Sequence, residues 1–367
     1  MLPPHATAFA RFSPVQARVV LSAVAILAVV LAGISLSPWR SGYADYPGQR
    51  PSDITLYRAE ADRIQAGEPY YTVIASELRA RGYPTRSVFN WRTPLPVWLL
   101  GVLPSPAWGK AMLGGLCLLV LLLGFALVAD EAGVRQGLLL VVALSGALLL
   151  CVLGDAFVMP ELWSGVLMAL SVCCHGRAKP GAGLAAGIAA LFVRELAAPY
   201  CLVAAVLALR GRRYREVAGW CVGLAAYAVF YGWHVHTVLG LQGPNELAHE
   251  HGWVRFGGAA FVISTAQVNA WLLLLPQWVT ALYLALAMAG LASWPGAAGE
   301  RIGLTVAAYV LAFGIVGQDF NQYWGSMFAP LLCFGVARAP WAVRDLWHAA
   351  RNGGRRTAEG EEWAASV

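Results

Sequence analysis

Charged side chains are scarce in this chain: Asp, Glu, Lys and Arg make up 13% of its 367 residues. A protein that covers its whole surface with water needs roughly twice that share, so a soluble globular fold is a poor match. No low-complexity linker and no internal repeat divides the sequence. Residues 1–350 therefore read as a single membrane domain and 351–367 as a flexible cytoplasmic tail. The seven cysteines (117, 151, 173, 174, 201, 221 and 333) all fall inside apolar runs. None can staple an outer loop, and small apolar filler is their simplest role. The adjacent Cys173-Cys174 would suit a metal or redox site, but no other ligand-type cluster lies near it in sequence.

What is present is apolar: 59% of residues. The chain reads as an all-α polytopic membrane protein. Runs of the length a bilayer requires, or shorter where neighbours shield them, fall at 19–36, 109–129, 137–153, 161–174, 181–193, 197–210, 216–234, 271–293, 301–317 and 323–338, about ten in all. The first lacks a small-x-small site after its apolar stretch, so an uncleaved helix fits better than a signal peptide. Lys and Arg collect in alternate connections: Arg135, Arg177, Lys179, Arg210, Arg212, Arg213, Arg215, Arg301 and the tail. That bias places both ends on the cytoplasmic side of the cytoplasmic (inner) membrane. The net charge of +6 then faces anionic lipid and requires no nucleic acid.

Residues 37–108 form a long extracytoplasmic loop with its own helical pattern. Ile54, Tyr57, Ala61 and Ile64 recur at helical spacing, and Gly67 and Pro69 stop that helix. A second helix over about 71–81 stops at Gly82-Tyr83-Pro84, and Pro94–Leu100 suits an interfacial helix. Among the acids of this loop, Asp53 stands at a helix start, where Asp is favoured as a cap for local reasons alone. Glu60 and Asp62 are expected to face solvent, paired with Arg58 and Arg63.

Further polar residues gather in the other outer turns. Asp155 and Glu161 flank a helix start, Arg194-Glu195 joins two short runs, and Asp319-Phe320-Asn321-Gln322-Tyr323 mixes acid, amide and aromatic groups. Ionisable groups at membrane depth usually face a cavity or a partner. Asp155 and Glu161 either mark a turn or supply a second acid. Arg194 either pairs with Glu195 or holds an anion. Asp319, Gln322 and Tyr323 suit either a sugar pocket or a capped turn. His234-x-His236 and His249-x-His251 could hold a metal, but interfacial or sugar contacts are simpler.

Asp53 and Tyr57, then Gly67-x-Pro69-Tyr70, then Trp91-Arg92-Thr93-Pro94-Leu95, resemble the first extracytoplasmic loop of the GT-C glycosyltransferases. Pro160-Glu161-Leu162-Trp163 and Val193-Arg194-Glu195-Leu196 are similar to later outer turns of bacterial mannosyl- and arabinosyl-type members. The resemblance implies a GT-C-like bundle that transfers a sugar, with inversion, from a polyprenyl-phosphate-linked donor to a glycan, lipid or protein acceptor. It implies Asp53 as the base, Tyr57 and Tyr70 shaping its pocket, and an arginine, Arg194 ahead of Arg92, on the carrier phosphate. Members often pair the acid with a second one; Asp53 has none beside it, which argues against an obligate metal and leaves a divalent cation as a possible, not a certain, cofactor. The rival expectation is a transporter or flippase for lipid-linked sugars or an organic anion.

Overall fold

The computed structural model describes residues 6–37, 53–248 and 255–351, and among them all regular structure is helical. Asp45, His249 and His251, and all of the expected tail beyond Arg351 lie outside the described residues. After α1 (Pro14–Leu36) come the three helices of the long loop, α2 (Asp53–Gln65), α3 (Tyr70–Ala80) and α4 (Pro94–Gly101). Next are α5 (Pro106–Ala132), α6 (Val134–Leu149), α7 (Pro160–Gly176), α8 (Pro180–Val193), α9 (Ala198–Arg210) and α10 (Tyr214–Leu241). The chain closes with α11 (Gly258–Ala266), α12 (Ala270–Leu273), α13 (Gln277–Ala292), α14 (Ala297–Ile315) and α15 (Ala329–Arg351). Proline in the first turn sets the start of α1, α4, α5, α7, α8 and α9, where its missing N–H costs no helical bond.

The expected count of about ten spans is not met. Three described helices, α1, α5 and α14, are long and apolar enough to cross a bilayer, or four if the bent pair Phe320–Met327 and Ala329–Arg351 is one span. The reason is length. The apolar run at 181–193 becomes a 14-residue helix, about 21 Å long against a hydrocarbon core of about 30 Å. The run at 271–293 is broken into α12 and α13 around Pro276. The chain is thus an α-helical membrane protein by its apolar helices, with several helices shorter than a span.

The long-loop helices form much as expected because their punctuation is strong. Gly67 and Gly82 take positive φ (92° and 68°) just beyond α2 and α3, a conformation that favours glycine. One face of α2 (Leu56, Tyr57, Glu60, Ala61, Ile64) is buried against α3 and α4. Glu60 corrects the expectation of a solvent-facing acid: it is fully buried, and neither carboxyl oxygen has a hydrogen-bond partner among the described residues. Asp62 does pair with Arg58 (3.3 Å), whereas Arg63 turns to Glu68 and Glu77.

The loop is tied to the bundle by α10. His234 Nε2 lies 2.9 Å from the Trp91 carbonyl, which can only accept, so Nε2 carries the proton. Nδ1 then accepts from the Tyr71 hydroxyl at 3.0 Å. Both ring nitrogens are thereby occupied, and His234 acts as a tie. Beyond α10, Glu246 takes Arg79 Nη2 at 2.5 Å and the Thr85 hydroxyl, a second clasp on the same loop.

Chain direction separates two ends of the bundle. α7 and α9 run from the end that carries Met159 and Leu196 to the end that carries His175 and Arg210, while α8, α10 and α14 run back. Between these ends sit large buried side chains such as Trp220, Tyr200, Tyr309 and Phe328. α7 also meets the 3₁₀ stretch Asp319–Met327, and Gly165 permits the approach: a Cβ there would lie 2.1 Å from the Ser326 carbonyl oxygen.

Candidate functional site

A cavity of about 830 Å³ opens at one end of the bundle. Its polar wall brings together Asp53 and Tyr57 from α2, Tyr83 and Asn90 from the connection after α3, Arg92, Arg194-Glu195, and Asn321 and Tyr323. These positions span some 270 residues of sequence, so folding rather than proximity in the chain assembles the site. The remainder of the wall is apolar, with Leu56, Phe89, Leu196, Phe313, Val316 and Trp324.

Asp53 is half-buried in the first turn of α2, and its Oδ1 accepts a 2.8 Å hydrogen bond from the Tyr83 hydroxyl. Tyr83 is held there by the turn that follows Gly82. Burial pushes the Tyr83 hydroxyl well above the ordinary tyrosine range, and the neighbouring Asp53 charge adds to that, so it stays a donor. Arg92 leaves the 3₁₀ turn Val88–Asn90 with its guanidinium spread over neutral acceptors. Nε donates to the Tyr57 hydroxyl (2.7 Å), Nη1 to the Phe89 carbonyl (2.8 Å), and Nη2 is 3.4 Å from the Tyr323 hydroxyl. No carboxylate among the described residues lies within ion-pair distance of it. Because Tyr57 accepts from Arg92, its own O–H remains available to donate. Burial raises that hydroxyl well above the usual range, so it too stays protonated.

Arg194 is built differently. It breaks the path between α8 and α9 in an extended conformation and is almost fully buried between two acids. Its Nε is 2.8 Å from Glu161 Oε1, a charge contact without hydrogen-bond alignment, and its Nη1 bonds Glu195 Oε1. Its charge is therefore matched on both sides by carboxylates, whereas the Arg92 guanidinium meets neutral oxygens among the described residues. Glu161, expected as a turn marker or second acid, is buried behind the cavity as this counter-charge.

Of the other expected site residues, Tyr70, Asp155 and Gln322 fall outside the cavity wall. Tyr70 supports the wall, donating 2.6 Å to the Arg92 carbonyl. Asp155 is exposed, 3.9 Å from Arg58 on the outer side of α2. Gln322 is exposed, while Asp319 contributes backbone to the same 3₁₀ stretch and its side chain lies outside the described part. Tyr83, Asn90 and Trp324 were not expected, while Asn321 belongs to the stretch 319–323 already noted. Gly82-Tyr83-Pro84 was read as a helix stop only, and nothing local marks its tyrosine as a partner of Asp53.

Among the described residues no three His, Cys, Asp or Glu side chains converge to hold a metal ion. The described cysteines are all unpaired, and Cys221 alone among them is exposed. No protein-family model, no curated protein and no solved structure matches this chain.

Proposed function

We propose that the Asp53 cavity is the active site of a membrane glycosyltransferase, which moves a sugar from a polyprenyl-phosphate carrier to a hydroxyl-bearing glycan, lipid or protein. The observation that supports it most is the pairing, in one largely apolar cavity, of a carboxylate held by Tyr83 with a guanidinium that makes no ion pair among the described residues. Such a wall suits an amphiphile with an oily chain and a charged head. Ile315, which is mostly exposed, carries the apolar wall out to the surface, where a lipid chain would enter.

In this reading the acceptor hydroxyl attacks the anomeric carbon as Asp53 takes its proton. The new C–O bond forms on the face opposite the phosphate, the old C–O bond breaks, and the configuration inverts. The electron pair leaves on the carrier phosphate, and Arg92 with the Tyr57 hydroxyl meets the charge that develops there. The scheme agrees with the likeness of the first loop to GT-C enzymes at Asp53, Tyr57 and Thr93-Pro94-Leu95. The concentration of Arg177, Lys179, Arg210 and Arg213 at the opposite end favours a cytoplasmic membrane with this cavity on the outer face.

A transporter would need a site reachable from both faces, near the midplane. Among the described residues, this cavity and a second one of about 550 Å³ share no lining residue, and bulky buried side chains lie between the two ends of the bundle. That favours the transferase.

Binding to the purified protein in maltoside micelles tests the substrate class. A short polyprenyl phosphate should bind at least about tenfold more tightly than the matching polyprenol, and Arg92→Gln should erase the difference. Equal binding of phosphate and alcohol would remove the carrier from the account.

A further inference from the structure

A second cavity, of about 550 Å³, lies at the opposite end of α7, α8, α9 and α14 and has no part in the scheme above. Its central cation is Arg301, in the first turns of α14 and only 4% exposed. Arg301 Nη2 reaches Glu216 at 3.2 Å, but Nη1 is buried without a hydrogen-bond partner. The Tyr200 hydroxyl is near enough to Arg301 for its charge and a weak hydrogen bond, but its short contact, at 2.5 Å, is with Ser171. Leaving a guanidinium donor buried and unmet is costly, which points to something absent that accepts.

The hydrogen-bond count around it has the same sign. Glu216 receives three donors: Arg301 Nη2 (3.2 Å) and the Trp220 indole (3.4 Å) on one oxygen, and Arg213 Nε (2.7 Å) on the other; the neutral His175 ring gives its Nδ1 proton to the Ser171 carbonyl (2.8 Å). Glu300 is engaged by Arg210, and Glu131 by the Trp294 indole. The carboxylates are thus spoken for while a donor is left over. The first turns of α8, α10 and α14 line the cavity through Pro180, Glu216 and Ala297–Ala298, and none of the three has a side-chain cap. Uncapped helix starts present N–H groups and the positive ends of three helix dipoles to one space.

We propose that this second cavity binds a phosphate-type oxyanion, carried either by a lipid headgroup or by a small soluble molecule. Arg301 Nη1 supplies the direct contact, and the start of α14, where Ala297 and Ala298 line the cavity, supplies backbone donors. The volume exceeds what a bare phosphate fills, so the natural ligand brings further atoms with it.

Thermal unfolding of the full chain in maltoside micelles tests this, with inorganic phosphate and short-chain phosphatidic acid titrated separately against chloride at matched ionic strength. The wild type should be stabilised by at least one of them. Stabilisation by both identifies a soluble-type phosphate site, and stabilisation by phosphatidic acid alone a lipid headgroup site. Arg301→Gln should weaken the response by about tenfold or more, whereas Arg92→Gln, at the other end, should keep it. Arg301→Lys retains charge but not the forked donor, and should also weaken binding if the Gln variant fails to fold. No response of the wild type to either probe would overturn the proposal. So would a response that survives at Arg301→Lys or Gln and disappears at Arg92→Gln.

Discussion

The Tyr83 hydroxyl donates a 2.8 Å hydrogen bond to Asp53 Oδ1, joining the turn after α3 to the first residue of α2. This contact fixes one carboxylate oxygen of Asp53 at the cavity wall. Tyr83→Phe keeps the ring and removes the donor. Transfer should fall about 10- to 100-fold in kcat, less than loss of the base itself would cause, with the KM for the carrier little changed. Wild-type kcat in this variant would show that Tyr83 does not position Asp53.

Arg92 and Arg194 should separate in their effects. Arg194→Gln strands Glu161 as a buried charge and should cost roughly 3–5 kcal/mol in unfolding. Adding Glu161→Gln should recover most of that stability. Arg92→Gln breaks no ion pair and should leave the unfolding transition nearly unchanged while weakening use of the phosphate carrier. The reverse pattern, a stable Arg194→Gln and an unstable Arg92→Gln, would contradict the roles assigned here.

Glu60 gives the chain a pH dependence of known sign. Burial without a partner lifts its carboxyl from the usual 4.5 to about 8, so the folded state holds a proton that the unfolded state has released. Stability is full below pH 4.5 and declines as pH rises toward 8, by roughly 4–5 kcal/mol in all. Glu60→Gln, which cannot ionise, should unfold at nearly the same temperature at pH 6 and pH 8.5, while the wild type loses stability across that interval. A wild type with no such slope would rule out a neutral buried Glu60.

Gly165→Ala tests the contact of α7 with the 3₁₀ stretch that carries Asn321 and Tyr323. The added methyl would meet the Ser326 carbonyl, a backbone atom that cannot rotate away. A cost of about 1–3 kcal/mol is expected, with reduced transfer because the far wall of the cavity shifts. Unchanged unfolding and transfer would mean the two segments can part freely.

How much of this was readable in advance follows from where the signals sit. The boundaries of α2, α3 and α4 follow Gly67, Pro69, Gly82 and Pro94, because glycine and proline act locally. The apolar runs all carry helix, and the break at Arg194-Glu195 was visible as two short runs, but hydropathy reports environment rather than length, so it could not show that the run at 271–293 is split at Pro276. Asp53, Tyr57, Arg92, Arg194, Glu195 and Tyr323 do meet in one cavity. The Glu161–Arg194 pair, the Tyr83–Asp53 bond and the burial of Glu60 depend on which faces pack together, and nothing within a few residues of each encodes that. Asp155 and Gln322 looked like site residues by type and turned out to be exposed for the same reason.

The most direct test of the central claim is transfer of a labelled sugar from a panel of polyprenyl-phosphate sugars in proteoliposomes, wild type against Asp53→Asn. The Asn side chain keeps the size and can still meet the Tyr83 hydroxyl, but it cannot take a proton. The account expects the variant to fold and to bind polyprenyl phosphate like the wild type, with turnover lower by about 10²–10⁴-fold. Near-normal transfer by Asp53→Asn, or carrier movement across the bilayer by the wild type with no sugar transferred to any acceptor, would contradict it.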